Sequence, residues 1–186
     1  IEGLGGKVFF SEPPSLGNIH KFIRSFKRIV NEGGPYVAVH AHANIDNGIP
    51  LLTAAMCKIP IRISHSHGVQ GKDVDLLRKP WYRFKTFLIK KYATSYLGCS
   101  RAAGNYLYGE KIFKKKGRVI PNGIDVKCFL GDKPEVVESK KKELNIDDDC
   151  QLIVGNITRF EATKNSLFTI KVFQKILETV PSAILI

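Results

Sequence analysis

The sequence predicts an α/β fold built on Rossmann-like parallel sheets, and three observations carry that prediction. Short apolar runs of strand length recur along the chain, including YVAVH, IRIS, SYLG and QLIVGNI. Between them lie longer stretches whose apolar residues fall at helical spacing. The connections are short and rich in Gly, Pro, Asn and Asp. Strands alternating with helices make βαβ units, and right-handed crossovers join such units into a mostly parallel sheet.

The elements follow in order. KVFF reads as a first short strand. NIHKFIRSFKRIVNEG then places Ile19, Phe22, Ile23, Phe26, Ile29 and Val30 on one helical face, with Asn18 as N-cap and Gly33 as stop. Strand YVAVH leads to helix GIPLLTAAMCK, for which Asp46 or Asn47 is the expected N-cap. Strand IRIS precedes a long basic helix over residues 73–92, which Pro80 should kink or break. Strand SYLG feeds helix SRAAGNYLYG, with Ser100 as its cap. RVI runs into PNGID, where Asn122 and Gly123 are expected to make a tight turn at positive φ and Asp125 to cap the short helix DVKCF. Helix PEVVESKKKEL, strand QLIVGNI, helix KNSLFTIKVFQKILETV and the opening strand SAILI complete the chain. The polar loop 125–134 is the best boundary, dividing 1–126 from 127–186.

Hydrophobic content of 44% and charged content of 25% suit a soluble globular protein with a real core. No apolar run approaches the about 20 residues of a membrane span. The opening IEGLGGKVFF lacks the basic start and apolar core of a signal peptide. It also lacks an initiator Met, and the chain stops on AILI, so a fragment truncated at both ends is expected. Uncovered sheet edges then favour self-association. The cysteines Cys57, Cys99, Cys128 and Cys150 are far apart with no CxxC spacing, which argues against a zinc ribbon. Cys57 and Cys99 are expected to be buried, and a reducing cytoplasm is the expected compartment.

The net charge of +12 attracts acidic ligands, anionic lipid or nucleic acid. It concentrates in Lys21 to Arg28, Arg78 to Lys91 and Lys111 to Arg118, whereas Lys140 to Lys142 is balanced by Glu138 and Glu143 and reads as a solvated face.

Three constellations point to chemistry. VGNITRFEATKNSLF reads as strand, loop and helix, with Arg159 and Lys164 in the loop. A helix N-terminus and two cations make a site for phosphate or diphosphate, Arg159 as a planar fork and Lys164 as a point charge. His40 with His42 and His65 with His67 close two strands, and residues two apart project to one side. Strand carboxyl ends are where open α/β sheets bind ligands. The four imidazoles can line a saccharide cleft, with His65 and His67 the catalytic candidates as acid or base, or they can satisfy loop backbone groups. Two HxH pairs also offer four nitrogens to zinc, although no neighbouring carboxylate reads as an outer partner. Asn44 lies beside a helix start that can hold a hydroxyl or phosphate.

Together with VIPNGID, these segments resemble the family 4 glycosyltransferases, retaining enzymes of the GT-B fold, in the branch that builds bacterial capsular and exopolysaccharides. The resemblance runs through VAVHAHANIDNGIPLLTAAMCKIPIRISHSHG, SYLGCSRAAGNYLYG, RVIPNGIDVKCF and VGNITRFEATKNSLFTIKVFQKILETVPSAILI. It implies that 1–126 is part of an acceptor-side domain and 127–186 the start of a donor-side domain. It implies a nucleotide-diphosphate sugar as donor, a saccharide acceptor, lipid-linked, and no metal or cofactor. Arg159 and Lys164 then contact the diphosphate and stabilise the leaving group. Asn122 and Gly123 face the donor, and His40, His42 and Asn44 line the acceptor side. Thr158 replaces the glycine usual before the arginine, and the family's glutamate pair would follow Ile186, so the 186-residue chain alone is expected to be inactive.

The helix carrying Trp81, Tyr82, Phe84, Phe87 and Leu88 among Arg83, Lys85, Lys90 and Lys91 has two readings. It can lie on an anionic membrane surface, making the protein peripheral on the inner face of the membrane, or it can pack its aromatics inward with its lysines in water. Nucleic acid is disfavoured, because no RNA-binding signature or helix-turn-helix spacing accompanies the charge. The competing class is a non-enzymatic basic module for anionic lipid or nucleic acid.

Overall fold

The computed structural model describes residues 1–69, 79–131, 133–147, 149–161 and 164–186, and all of their side chains except those of Lys79 and Cys128. The chain forms two compact units, Ile1–Gly123 and Ile124–Ile186.

The first unit contains helix α1 (Ile19–Gly33), strand β1 (Ala38–Ala41), α2 (Gly48–Met56), β2 (Ile61–Ser66), α3 (Lys79–Tyr92), β3 (Ser95–Gly98), α4 (Arg101–Tyr108), α5 (Glu110–Lys116) and β4 (Gly117–Val119). Its strands form one sheet in the order β1-β2-β3-β4, and every pair is parallel. The parallel α/β class is therefore the one expected. Ala41 lies opposite Ser64, and Ser64 opposite Tyr96. The core gathers Ala41, Leu51, Ile89, Tyr96, Leu107, Tyr108 and Phe113.

Tyr108 fixes the sheet to α4. Its ring is fully buried, and its hydroxyl lies 2.8 Å from the Ser64 carbonyl oxygen and 2.9 Å from that of Leu97. It thereby bridges β2 and β3. Burial pushes this phenol up to about 12. Ser66 donates its hydroxyl to the Ala103 carbonyl at 2.9 Å, and Ser100 caps α4 by accepting the Ala103 N–H at 3.1 Å. Gly104 must be glycine here, because a Cβ would sit 2.3 Å from the Phe113 ring.

Several local expectations are corrected. KVFF forms no strand: Val8, Phe9 and Phe10 are exposed, and no described strand pairs with them. A strand without a ladder partner leaves its backbone to water. Asn18 stands at the start of α1 but does not cap it; its side chain accepts the Ser15 N–H at 2.7 Å instead. Cys57 and Cys99 are half-buried rather than buried, and both are free. Pro80 lies in the first turn of α3, where its missing N–H disrupts nothing. Residues 73–78 of the expected long helix lie outside the described residues.

Neither Asn122 nor Gly123 takes a positive φ, and the segment runs without a tight turn. Pro121 biases Ile120 to extended backbone, and the Ile120 N–H continues the ladder to the Gly98 carbonyl at 2.9 Å.

The second unit opens with a 3-10 turn, Val126–Phe129, capped as expected by Asp125, whose carboxylate accepts the Lys127 N–H at 3.1 Å. Helix α6 (Pro134–Glu143) precedes one βαβ unit: β5 (Ile153–Val154), α7 (Ser166–Leu177) and β6 (Ile184–Leu185), with the strands parallel. In α6 the lysine run is a solvated face, with Lys140 paired to Glu143 and Lys141 to Glu138. Ala183 is the buried hydrophobe of this unit among the described residues.

Candidate functional site

The register of β1 and β2 builds the site. Ala41 and Ser64 pair across and face the core side. Strand alternation then puts His40 and His65 on the opposite face of the sheet. His42 and His67 follow just beyond the strand ends. All four rings meet: His40 and His42 centroids are 3.9 Å apart, His65 and His67 4.2 Å, and His42 and His67 5.0 Å. His40 and His65 stack with planes only 3° apart at 5.3 Å. His42 Nδ1 and His67 Nε2 share a hydrogen bond of 2.7 Å.

His40 and His42 are exposed and His67 is half-buried, while His65 is only 5% exposed. Neither ring nitrogen of His65 has a hydrogen-bond partner of ordinary geometry among the described residues. Burial first, then the neighbouring rings of His67, His42 and His40, pull His65 down to about 4, against a weaker opposing pull from the Ile120 backbone. His40 and His42 are lowered too, again by burial first and neighbouring imidazoles next. His40, His42 and His65 are therefore held towards the neutral imidazole, which can both donate and accept hydrogen bonds.

A 3-10 turn, Asn44–Asn47, holds the cluster in place. Asn44 sits at φ 52°, the left-handed region that asparagine tolerates, and its side-chain oxygen accepts the His67 N–H at 2.6 Å. Asn47 is fully buried; its oxygen accepts the Ala43 N–H at 2.6 Å, and its amide donates to Ser64 Oγ at 2.9 Å and to the His65 carbonyl at 3.3 Å. Asn47 stands at the N-cap position of α2 as expected, but its side chain makes no cap hydrogen bond. Asp46 and Asn47 are both recruited by tertiary partners. Asp46 pairs with Lys85 from α3.

Lys85 is itself 5% exposed, with its ammonium 4.7 Å from the Tyr82 ring centre and 5.5 Å from that of Trp81. It is thus removed from the solvent face on which the sequence put it. A buried ammonium needs such company, a counter-charge and aromatic faces. Phe84 and Phe87 remain exposed beside Lys90 and Lys91.

Arg159 and Lys164 lie together on the loop from β5 to α7, in the strand-loop-helix order expected, with Ala162 and Thr163 outside the described residues. Arg159 pairs with Glu161 at 3.3 Å, both side chains well exposed. Lys164 is exposed, and its backbone N–H bonds the Glu161 carbonyl at 2.9 Å. The loop and the histidine cluster belong to different units. Asn122 and Gly123 end the first unit as exposed, irregular backbone.

Residues 3–127, which hold the whole cluster, match the model of Glycosyltransferase Family 4. The chain belongs to this family. This family 4 chain is 33% identical over 178 residues to EpsF of Bacillus subtilis (strain 168), a protein named as a glycosyltransferase, with 92% of the chain and 44% of EpsF covered. The chain thus spans less than half the length of that relative. It also resembles HepE of Anabaena, solved in complex with UDP and glucose, at TM-score 0.70 and 15% identity, over 95% of the chain and 45% of HepE. A glycosyltransferase from Rickettsia africae ESF-5 follows at TM-score 0.58 and 14% identity, over 96% and 53%. These structural likenesses show the fold, the α/β GT-B architecture.

The sequence placed Asn47 as a cap and Lys85 on a basic helix face, and gave neither these two nor Tyr108 its supporting role. Lys85 had a signal: it follows Trp81 by four residues and Tyr82 by three, so both rings lie on its helix face. The links of Asn47 and Tyr108 to β2 had none, since Ser64 lies 17 and 44 residues away from them.

Proposed function

We propose that this chain supplies the acceptor side, and the opening of the donor side, of a retaining glycosyltransferase. The donor is a nucleotide-diphosphate sugar, from which a hexose passes to a saccharide acceptor, lipid-linked, in polysaccharide biosynthesis. The observation that carries this reading is the convergence of His40, His42, His65 and His67 at the carboxyl ends of two parallel strands in a family 4 chain. In this reading the acceptor hydroxyl hydrogen-bonds to the imidazoles, with His65 and His67 serving the reacting group. The bond from the anomeric carbon to the donor phosphate oxygen breaks, and a bond to the acceptor oxygen forms. Arg159 and Lys164 stabilise the charge that builds on the departing diphosphate. UDP and glucose in the HepE structure support a nucleotide sugar as donor. No separate cofactor enters this reading.

Titration of the chain with UDP, GDP and inorganic phosphate, repeated with Arg159→Ala, tests the donor part. Selective binding of one nucleotide diphosphate, lost in the variant, is expected. Equal weak binding of all three, untouched by the variant, removes the donor site from the proposal.

The exposed pair Phe84 and Phe87, beside Lys90 and Lys91 on α3, supports a second part: peripheral contact with an anionic membrane surface on its cytoplasmic side. No helix among the described residues is long and apolar enough to cross a membrane. Sedimentation with vesicles of phosphatidylglycerol is expected to fall with salt and in the double variant Phe84→Ser, Phe87→Ser. Sedimentation indifferent to that variant overturns the membrane part.

A further inference from the structure

The side chains of the turn Asn44–Asn47 are committed outside it. Asn44 accepts the His67 N–H, and Asn47 reaches Ser64 and the His65 carbonyl, so both hold the end of β2. Ile45 packs against the core. Asp46 reaches α3, where it meets Lys85. The two partners of this pair are unequal. The Asp46 side chain is 48% exposed, so water can serve it, whereas that of Lys85 is 6% exposed. A buried ammonium is costly. An apolar side chain of its length would fill the same space against Trp81 and Tyr82 with little loss of stability or some gain. What the ammonium adds is a fixed direction for Asp46. Gly48 shows how closely the turn is seated, since a Cβ there would stand 2.5 Å from the Lys85 carbonyl oxygen. Lys85 thus meets this segment twice, by its ammonium at Asp46 and by its backbone at the start of α2.

We propose that Lys85 is a positioning residue for the histidine cluster. Its ammonium holds Asp46, and with it the turn, at the place from which Asn44 and Asn47 fix the backbone of His67 and His65. Lys85 acts through the turn and not on the substrate. The inference deepens the saccharide reading and rests on it for its consequence: an acceptor hydroxyl meets the imidazoles only where that backbone presents them.

Lys85→Met keeps the length of the side chain and removes its charge, and Asp46→Ala removes the counter-charge at a half-exposed residue. Each variant is compared with the wild-type chain by amide hydrogen exchange. The His67 amide, bonded to Asn44, should exchange about tenfold faster or more in both. The Cys99 amide, bonded to the Ser66 carbonyl, should not change. A general loss of stability speeds both amides together, so the selective change is the signature of positioning. The double variant should be no worse than the stronger single one, since both act on one contact. Lys90→Met, at an exposed residue of α3, should move neither amide. Equal acceleration of the two amides overturns the proposal, and so does a His67 amide unchanged in both variants. If Lys85→Met does not fold, Asp46→Ala decides by the same two amides. Titration with methyl glucoside, followed on the histidine ring signals, tests the consequence. Binding should weaken by about tenfold or more in Lys85→Met. A wild-type chain that binds no glycoside counts against the saccharide reading alone, and the exchange result then still decides the role of Lys85.

Discussion

In the first unit β2 lies between two parallel neighbours, and Ser64, His65 and Ser66 on it are all buried. In the second, β5 and β6 pair with each other, and helix α7 between them buries none of its residues. Leu167, Phe168, Ile170 and Val172 on α7 are exposed, as are Ile157 and Phe160 on the loop before it. Both units follow the same strand-helix-strand order, so local sequence made the elements equally well in each. What differs is the second layer. A sheet face and a helix stripe become a core only when another element covers them. The cluster of histidines sits on the unit that has that cover, and its geometry is held by fully buried anchors such as Asn47. The Arg159 loop sits on the unit that lacks it, held by an exposed ion pair.

The largest expected effect comes from breaking the anchored unit. Tyr108→Ala removes a fully buried ring and the hydroxyl that bridges β2 and β3. Loss of about 3–5 kcal/mol is expected, enough to unfold a small domain of ordinary stability. Urea denaturation followed by the near-ultraviolet signal measures it. A cost below about 1 kcal/mol would show that the first unit is packed no better than the second, and the contrast would fall.

A smaller effect sharpens the same contrast through pH. The Tyr108 phenol is pushed up to about 12, by burial above all, against an ordinary value near 10. Between those values the folded state holds a proton that the unfolded state has released. Stability is then fully present below about pH 10 and falls as pH rises towards 12, by on the order of 2–3 kcal/mol. Tyr108→Phe should flatten that slope, whatever it costs at pH 7. Parallel slopes for the two proteins would mean that other groups govern the alkaline loss.

How much of this was legible is clearest residue by residue. The paired histidines were readable, because strand alternation alone puts His40 with His42 and His65 with His67 on one side. That the two pairs meet depends on register, which sets His40 opposite Ile63 and His65 opposite Leu97. Nothing in a single strand states this. Asn47 looked like a cap because local sequence offers only local partners; its real partners, Ser64 and His65, come from β2. Lys85 looked solvated because lysine usually is, and burial beside Asp46, Trp81 and Tyr82 overrides that preference. Asn122 and Gly123 carried a strong turn signal, and Pro121 with the β4 ladder outweighed it. The expected first strand KVFF failed for the opposite reason: its residues suit a strand, and the described chain gives them no neighbour.

The smallest expected effect lies on α7. Phe168 is 60% exposed, so replacing it removes little buried area. Phe168→Ala should shift stability by no more than about 0.5 kcal/mol, the usual range for a surface site. Hydrogen exchange should agree, with amides of β5 and β6 opening at far lower free energy than those of β2 and β3. Running the denaturation at several protein concentrations gives the measurement its force. If Phe168→Ala costs more than about 1 kcal/mol and the cost grows with concentration, another copy of the chain covers α7, and the second unit completes its missing layer by self-association. If the cost is large at every concentration, the face is covered within one chain and the contrast between the units is wrong. A negligible cost throughout leaves α7 an uncovered apolar stripe, and the difference between the two units stands as a difference in packing.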